Sequence, residues 1–109
     1  MKNDLVYVGH MLDTARAAVG KVRGLTRDGF DADENLRLAV THLIQTIGEA
    51  ARLVSPTFKE SHPNVPWAKI IGIRHKIVHD YLYVDYDIVW GVAFVELPAL
   101  VAQLEKIAG

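Results

Sequence analysis

Within eight residues the chain sets a permanent cation, two imidazoles and a phenol: Arg74, His75, His79 and Tyr81, in the run Gly72-Ile73-Arg74-His75-Lys76-Ile77-Val78-His79-Asp80-Tyr81. A guanidinium fork matches phosphate oxygens in a bidentate way, and an imidazole gives or takes a proton near neutral pH. These are parts for chemistry on a phosphate. On an ideal helix each residue advances about 100°, which sets Arg74 and His79 well apart around the axis and nearly eclipses Arg74 with Tyr81. One undistorted helix therefore cannot close the pair into a site. Either the helix ends near Val78 and lets residues 79–81 swing round, or two copies assemble the site across a two-fold axis.

Other groups weigh less. His75 and His79 stand at metal-ligand spacing, but Lys76 occupies the place of the glutamate in a zinc-protease helix and no third ligand is evident, so no metal is expected. Glu49 reads as a solvated helix residue unless its helix faces the motif, where it could pair with Arg74 and fix its fork. His10, His42 and His62 lack companions and read as surface or core-edge residues. Trp67 and Trp90 sit at apolar helical positions and read as packing residues.

These groups must be positioned by helices. Leu5, Val8, Leu12, Ala15, Val19 and Val22 recur at helical spacing, with Gly24 just beyond as a stop. Asp31, Ala32, Asp33 and Glu34 resemble a capping box opening a second helix, in which Leu36, Val40, Leu43, Ile44, Ile47, Ala51 and Val54 keep the period up to Ser55 and Pro56. Residues 55–66 hold three prolines and read as a loop with one short helical turn near Phe58. Pro66 suits the first position of a third helix running into the motif, and Asp85 is a candidate N-cap for a fourth, from 86 to about 107. Pro98 predicts a kink there, since it removes a hydrogen bond and clashes with the carbonyl of Phe94. The expected fold is all-α, an antiparallel four-helix bundle in a single domain over 1–109. Helices three and four carry more apolar residues than one core face needs, which predicts a homodimer, or a partner of another kind, over the excess.

The spacing of Arg74, His79 and Tyr81 resembles the Arg-x4-His-x-Tyr signature of HepT-like proteins, the toxin half of the HEPN and minimal-nucleotidyltransferase (MNT) toxin-antitoxin systems. Ile47-Gly48-Glu49-Ala50, Val65-Pro66-Trp67, Val84-Asp85 and Val89-Trp90 are similar to that family's flanking pattern, so the resemblance extends from about Asp31 onward. It implies an HEPN-like bundle and an endoribonuclease that needs neither metal nor cofactor, with its site in a homodimer cleft. Arg74 would hold the phosphate and His79 would move the proton, with His75, Asp80 and Glu49 in support. His75 stands where HEPN families prefer a polar residue, often Asn. Tyr81 would accept AMP from an MNT-type nucleotidyltransferase antitoxin, silencing the site, and a hetero-oligomer with that partner would fit. The alternatives are a non-catalytic nucleotide-binding helical module or subunit of a nucleotidyltransferase complex, and a plain dimerisation module.

Composition narrows the classes. With 109 residues there is room for one core. Without cysteine there is no disulfide framework, thiolate nucleophile or Cys-ligated zinc, and a cytoplasmic protein is the simplest reading. The opening residues read as neither a secretory signal nor a membrane-spanning run, so no membrane partner is expected. A net charge of −1 argues against coating nucleic acid through a broad positive field. The distribution says more: residues 61–79 hold no acid but carry Lys69, Arg74, Lys76 and three histidines, leaving −4 on the other ninety residues. A polyanion should be attracted at one edge.

Overall fold

In the computed structural model, which describes residues 2–80 and 83–108 without the side chains of Lys2, His79 and Asp80, the periodic apolar runs are helices. The first, α1, spans Lys2–Val22, and Gly24 ends its turn at a φ of 78°, left-handed backbone that disfavours any side chain. The short α2, Arg27–Ala32, was not legible in the pattern. Thr26 caps it by accepting from the Gly29 N–H at 3.1 Å, and Phe30 docks it, fully buried against the rings of Tyr86 and Trp90. This corrects the expected capping box. Asp31 lies inside α2, paired with Arg27, and Asp33 is the residue that caps α3, Glu34–Leu53, accepting the Leu36 N–H at 3.0 Å.

The expected turn near Phe58 is a helix, α4, Pro56–Ser61. The third helix comes in two pieces, α5 at Trp67–Ile71 and α6 at Ile73–Ile77, with Pro66 as the N-cap instead of the first helical residue. A two-stranded antiparallel ribbon follows, β1 at Val78–Asp80 and β2 at Tyr83–Val84. The last helical stretch is continuous: α7 at Tyr86–Gly91, a π-helical turn at Val92–Glu96, and α8 at Leu97–Ala108. Pro98 thus acts through the turn before it, where the ladder passes to i+5 spacing around the carbonyl the proline cannot serve. By length and composition this stretch, Tyr86–Ala108, could cross a bilayer, but its buried residues Val89, Val92, Ala93, Leu97, Leu100 and Leu104 belong to the core.

Among the described residues the architecture is an all-α antiparallel bundle, as expected, with the ribbon as its one departure. α1 packs on α3 and α8, while α3 carries α5 and α6 on another side. The shortest dimension is 19 Å, room for two layers of helices. The apolar excess is smaller than the sequence suggests. Ile70, Ile73 and Ile77, at i, i+3 and i+7 on one side of the third helix, are buried within the chain, and Ile71 and Val78 are partly so. What stays outside is on the π-helical turn: Phe94 at 49% exposure and Val95 at 67%.

One buried carboxylate closes the lower end of the bundle. Asp4, 2% exposed, accepts from the Ser55 N–H at 2.8 Å and the Ser55 Oγ at 2.7 Å, while that Oγ accepts the Phe58 N–H at 3.1 Å and caps α4. The Ser55 backbone bond, ahead of the opposing effect of burial, holds the Asp4 carboxyl below its ordinary 3.8. A lowered carboxylate pKa contributes stability that is complete above the ordinary value and is lost as pH falls through the folded one. Asp4→Asn should therefore lower the thermal midpoint at neutral pH, and the gap to the unsubstituted chain should narrow below about pH 3.8. A gap unchanged across that window would remove the ionised Asp4 from the account.

Candidate active site

Arg74 owes its position to an interruption. Gly72 separates α5 from α6 with its N–H bonded to the Ala68 carbonyl at 3.0 Å and its own carbonyl accepting the His75 N–H at 3.1 Å. Below this break lies Gly48 of α3, buried, where an added Cβ would stand 3.0 Å from the Ile70 carbonyl oxygen and 3.7 Å from the Ile73 side chain. The two backbones come this close because residue 48 has no side chain. Ile73 and Ile77 then turn into the core, and Arg74, His75 and Lys76 are left exposed.

α6 ends at once. The Val78 N–H bonds back to the Arg74 carbonyl, the Asp85 N–H reaches the Ile77 carbonyl at 2.7 Å, and the backbone passes into β1. This is the first of the two expected ways out of the helical geometry: the helix stops at Val78 and residues 79 and 80 leave it. The ribbon pairs Val78 with Val84 and Asp80 with Tyr83, so His79 is the extra residue of a β-bulge. Bulges interrupt the alternation of a strand and are over-represented beside active sites. β2 leads to Asp85, whose Oδ1 accepts from the N–H groups of Asp87 at 3.1 Å and Ile88 at 3.3 Å, fixing the start of α7 as expected. The side chains of His79 and Asp80 lie outside the described residues, as does the whole of Tyr81, the expected AMP acceptor.

An open groove of about 490 Å³ runs beside Arg74 and His75, walled on the far side by α3. Among the described residues Arg74, His75 and Lys76 have no ion-pair partner. Lys69 differs: its Nζ lies 2.5 Å from Glu96 Oε1, so the basic segment presents less free charge than its composition suggests. Glu49 faces the groove with Arg74, yet its carboxylate pairs with Arg52 at 3.1 Å and not with Arg74. His42, read as lacking companions, lines the same groove with Gln45 and Arg52. Those three were missed although their spacing along α3 puts them on one stripe with Glu49. Among the described residues no three His, Asp or Glu side chains gather as a metal centre would require. Trp67 and Trp90 pack as expected, with the Trp67 Nε1–H donating to the His62 carbonyl at 3.0 Å. His62 itself sits at the core edge, its ring stacked on Phe58.

The family model for HepT-like ribonucleases matches residues 11–107. The chain belongs to the HepT-like ribonuclease family. Similar proteins include "Putative RNase TTE0752" of Caldanaerobacter subterraneus subsp. tengcongensis, 34% identical over 98% of this chain and 96% of the relative. "Probable ribonuclease HepT" of Thermococcus cleftensis is 29% identical over 88% of this chain and 91% of its own. "Putative RNase MJ1216" of Methanocaldococcus jannaschii is 31% identical over 97% and 88%. No solved structure matches the chain significantly.

In this HepT-like chain the contact at Gly48 sets where α6 sits. Gly48→Ala should cost about 1 kcal/mol of stability by urea unfolding, because overpacking costs about 1–3 kcal/mol and alanine returns about 1 kcal/mol of helix propensity. A variant more stable than the original would mean that the Ile70 carbonyl yields freely and positions nothing.

Proposed function

We propose that the chain is a metal-independent endoribonuclease, the toxin of a toxin-antitoxin pair. The observation that carries this is the end of the third helix: an exposed guanidinium without an ion-pair partner among the described residues, five positions before a histidine at a strand bulge. RNA brings its own nucleophile, so cleavage requires proton transfer and stabilisation of a crowded phosphorane, with no activated water. His79 takes the proton of the 2′-hydroxyl, the 2′-oxygen attacks phosphorus, and the bond to the 5′-oxygen breaks as the imidazolium returns the proton to that oxygen. Arg74 holds the phosphate and offsets the charge that grows on it. The products are a 2′,3′-cyclic phosphate and a 5′-hydroxyl, and DNA, lacking the 2′-hydroxyl, is inert. His75 and Asp80 flank the two working residues and support them.

The site lies in a cleft between two copies, which would also cover Phe94 and Val95 on the last helical stretch. An MNT-type nucleotidyltransferase is the partner, and AMP transferred to the Tyr81 hydroxyl puts negative charge and bulk where RNA must bind. Both proteins work in the cytoplasm, where RNA and ATP are available.

Cleavage of labelled RNA in excess chelator tests the chemistry. Arg74→Ala and His79→Ala should each reduce the rate about 10²–10³-fold with helical content intact; full activity in both variants places the nuclease elsewhere, and a chain that never cuts RNA favours the nucleotide-binding reading. For the antitoxin, mass spectrometry after incubation with the transferase and ATP should find added AMP on the Tyr81 peptide. Tyr81→Phe should escape it and stay toxic beside the partner. A Tyr81→Phe chain that is still neutralised points to stoichiometric binding or to another tyrosine such as Tyr83. Light scattering at low micromolar concentration should give the mass of a dimer, and a monomer would remove the shared cleft.

A further inference from the structure

The groove beside Arg74 does not end at the motif. On its far wall His42, Gln45, Glu49 and Arg52 follow one another at steps of three and four residues, so they stack along one stripe of α3. The stripe is about 15 Å long, enough for a stretch of strand carrying more than one phosphate. Its charges are arranged to be exchanged. Arg52 and Glu49 pair at 3.1 Å with side chains 58% and 60% exposed, and an ion pair so exposed is worth at most about 1 kcal/mol. The guanidinium can therefore leave the carboxylate for a phosphate at little cost, and the bidentate fork suits the new partner. Arg74 and His75 face the same space across the groove.

We propose that this stripe carries the RNA strand flanking the scissile phosphate, with Arg52 as a second phosphate ligand and Glu49 as the placeholder that RNA displaces. The proposal rests on the ribonuclease reading above and extends it to substrate binding outside the motif. The strand is single: Arg52 meets a phosphate on one side of it, while Gln45 and His42 offer hydrogen-bonding groups to the nucleotides beyond. Removing Arg52 takes away a phosphate contact, and removing the Glu49 charge takes away its competitor.

The test is equilibrium binding of a short 2′-O-methylated single-stranded RNA, which cannot be cut by 2′-hydroxyl attack, measured across a salt series. Arg52→Ala should weaken binding about tenfold and flatten the logarithmic salt dependence by about 0.7, and Arg52→Lys should restore the slope because it keeps the charge. Glu49→Gln should tighten binding about two- to fivefold. Arg16→Ala, whose guanidinium pairs with Glu105 away from the groove, should change neither. If the unsubstituted chain binds and cleaves RNA while Arg52→Ala keeps its affinity and slope, the strand runs elsewhere and the ribonuclease reading stands. If the unsubstituted chain neither binds nor cleaves RNA, that reading falls and this one with it.

Discussion

The close approach of two backbones at Gly48 is the constraint on which the motif depends. A helix normally keeps its neighbour at a distance set by the side chains between them. Here one position has none, and the carbonyls of residues 70 and 71 descend almost onto α3. That depth seats Ile70 and Ile73 in the core on either side of the break at Gly72. The five-residue α6 that follows has Ile73 and Ile77 as its anchors, both buried, with the cations between them turned outward. An exposed Arg74 is thus a by-product of burying its neighbours.

A second set of constraints works from the other side of the motif. Asp85 uses its side chain to start α7 and its N–H to hold the end of α6, so one residue ties the last two helical stretches together. Between those fixed points the ribbon has to accommodate an odd residue, and the bulge at His79 is where it does so. Further along, the π-helical turn before Pro98 is a similar accommodation in a helix. It keeps Val92 and Ala93 in the core ahead of Leu97 and leaves Phe94 and Val95 facing out.

Much of this was legible. The long helices follow from apolar period, Gly24 and Asp85 mark boundaries for reasons of backbone and capping chemistry, and the motif announces itself by residue type. What escaped the sequence was of another kind. Asp31 and Asp33 are both competent caps, and only the burial of Phe30 decides that Asp33 is used. The apolar residues that the third helix carries off its buried face, Ile71 and Val78, are half-buried within the chain, which period alone does not tell, and a three-residue strand is too short to leave a pattern. Glu49 reads first as a solvated helix residue, and although it lies at one groove with Arg74 its exposed carboxylate pairs with Arg52, one turn along the same helix. His42 reads as a surface or core-edge residue and Gln45 carries no signal, since a polar stripe on a helix is the ordinary look of a solvated face.

The change from helix to strand at Val78 also alters what the motif's spacing measures. Four residues between Arg74 and His79 sound like a fixed separation, but the backbone advances about 1.5 Å per residue in a helix and about 3.3 Å in a strand. Running through both, the segment from 74 to 79 covers about 11 Å of path, where a continuous helix would cover about 7.5 Å. The motif is a ruler with two scales, and where one gives way to the other sets its length. A substitution that moved that junction by a single residue would change the reach between the two groups without altering either of them or the count between them.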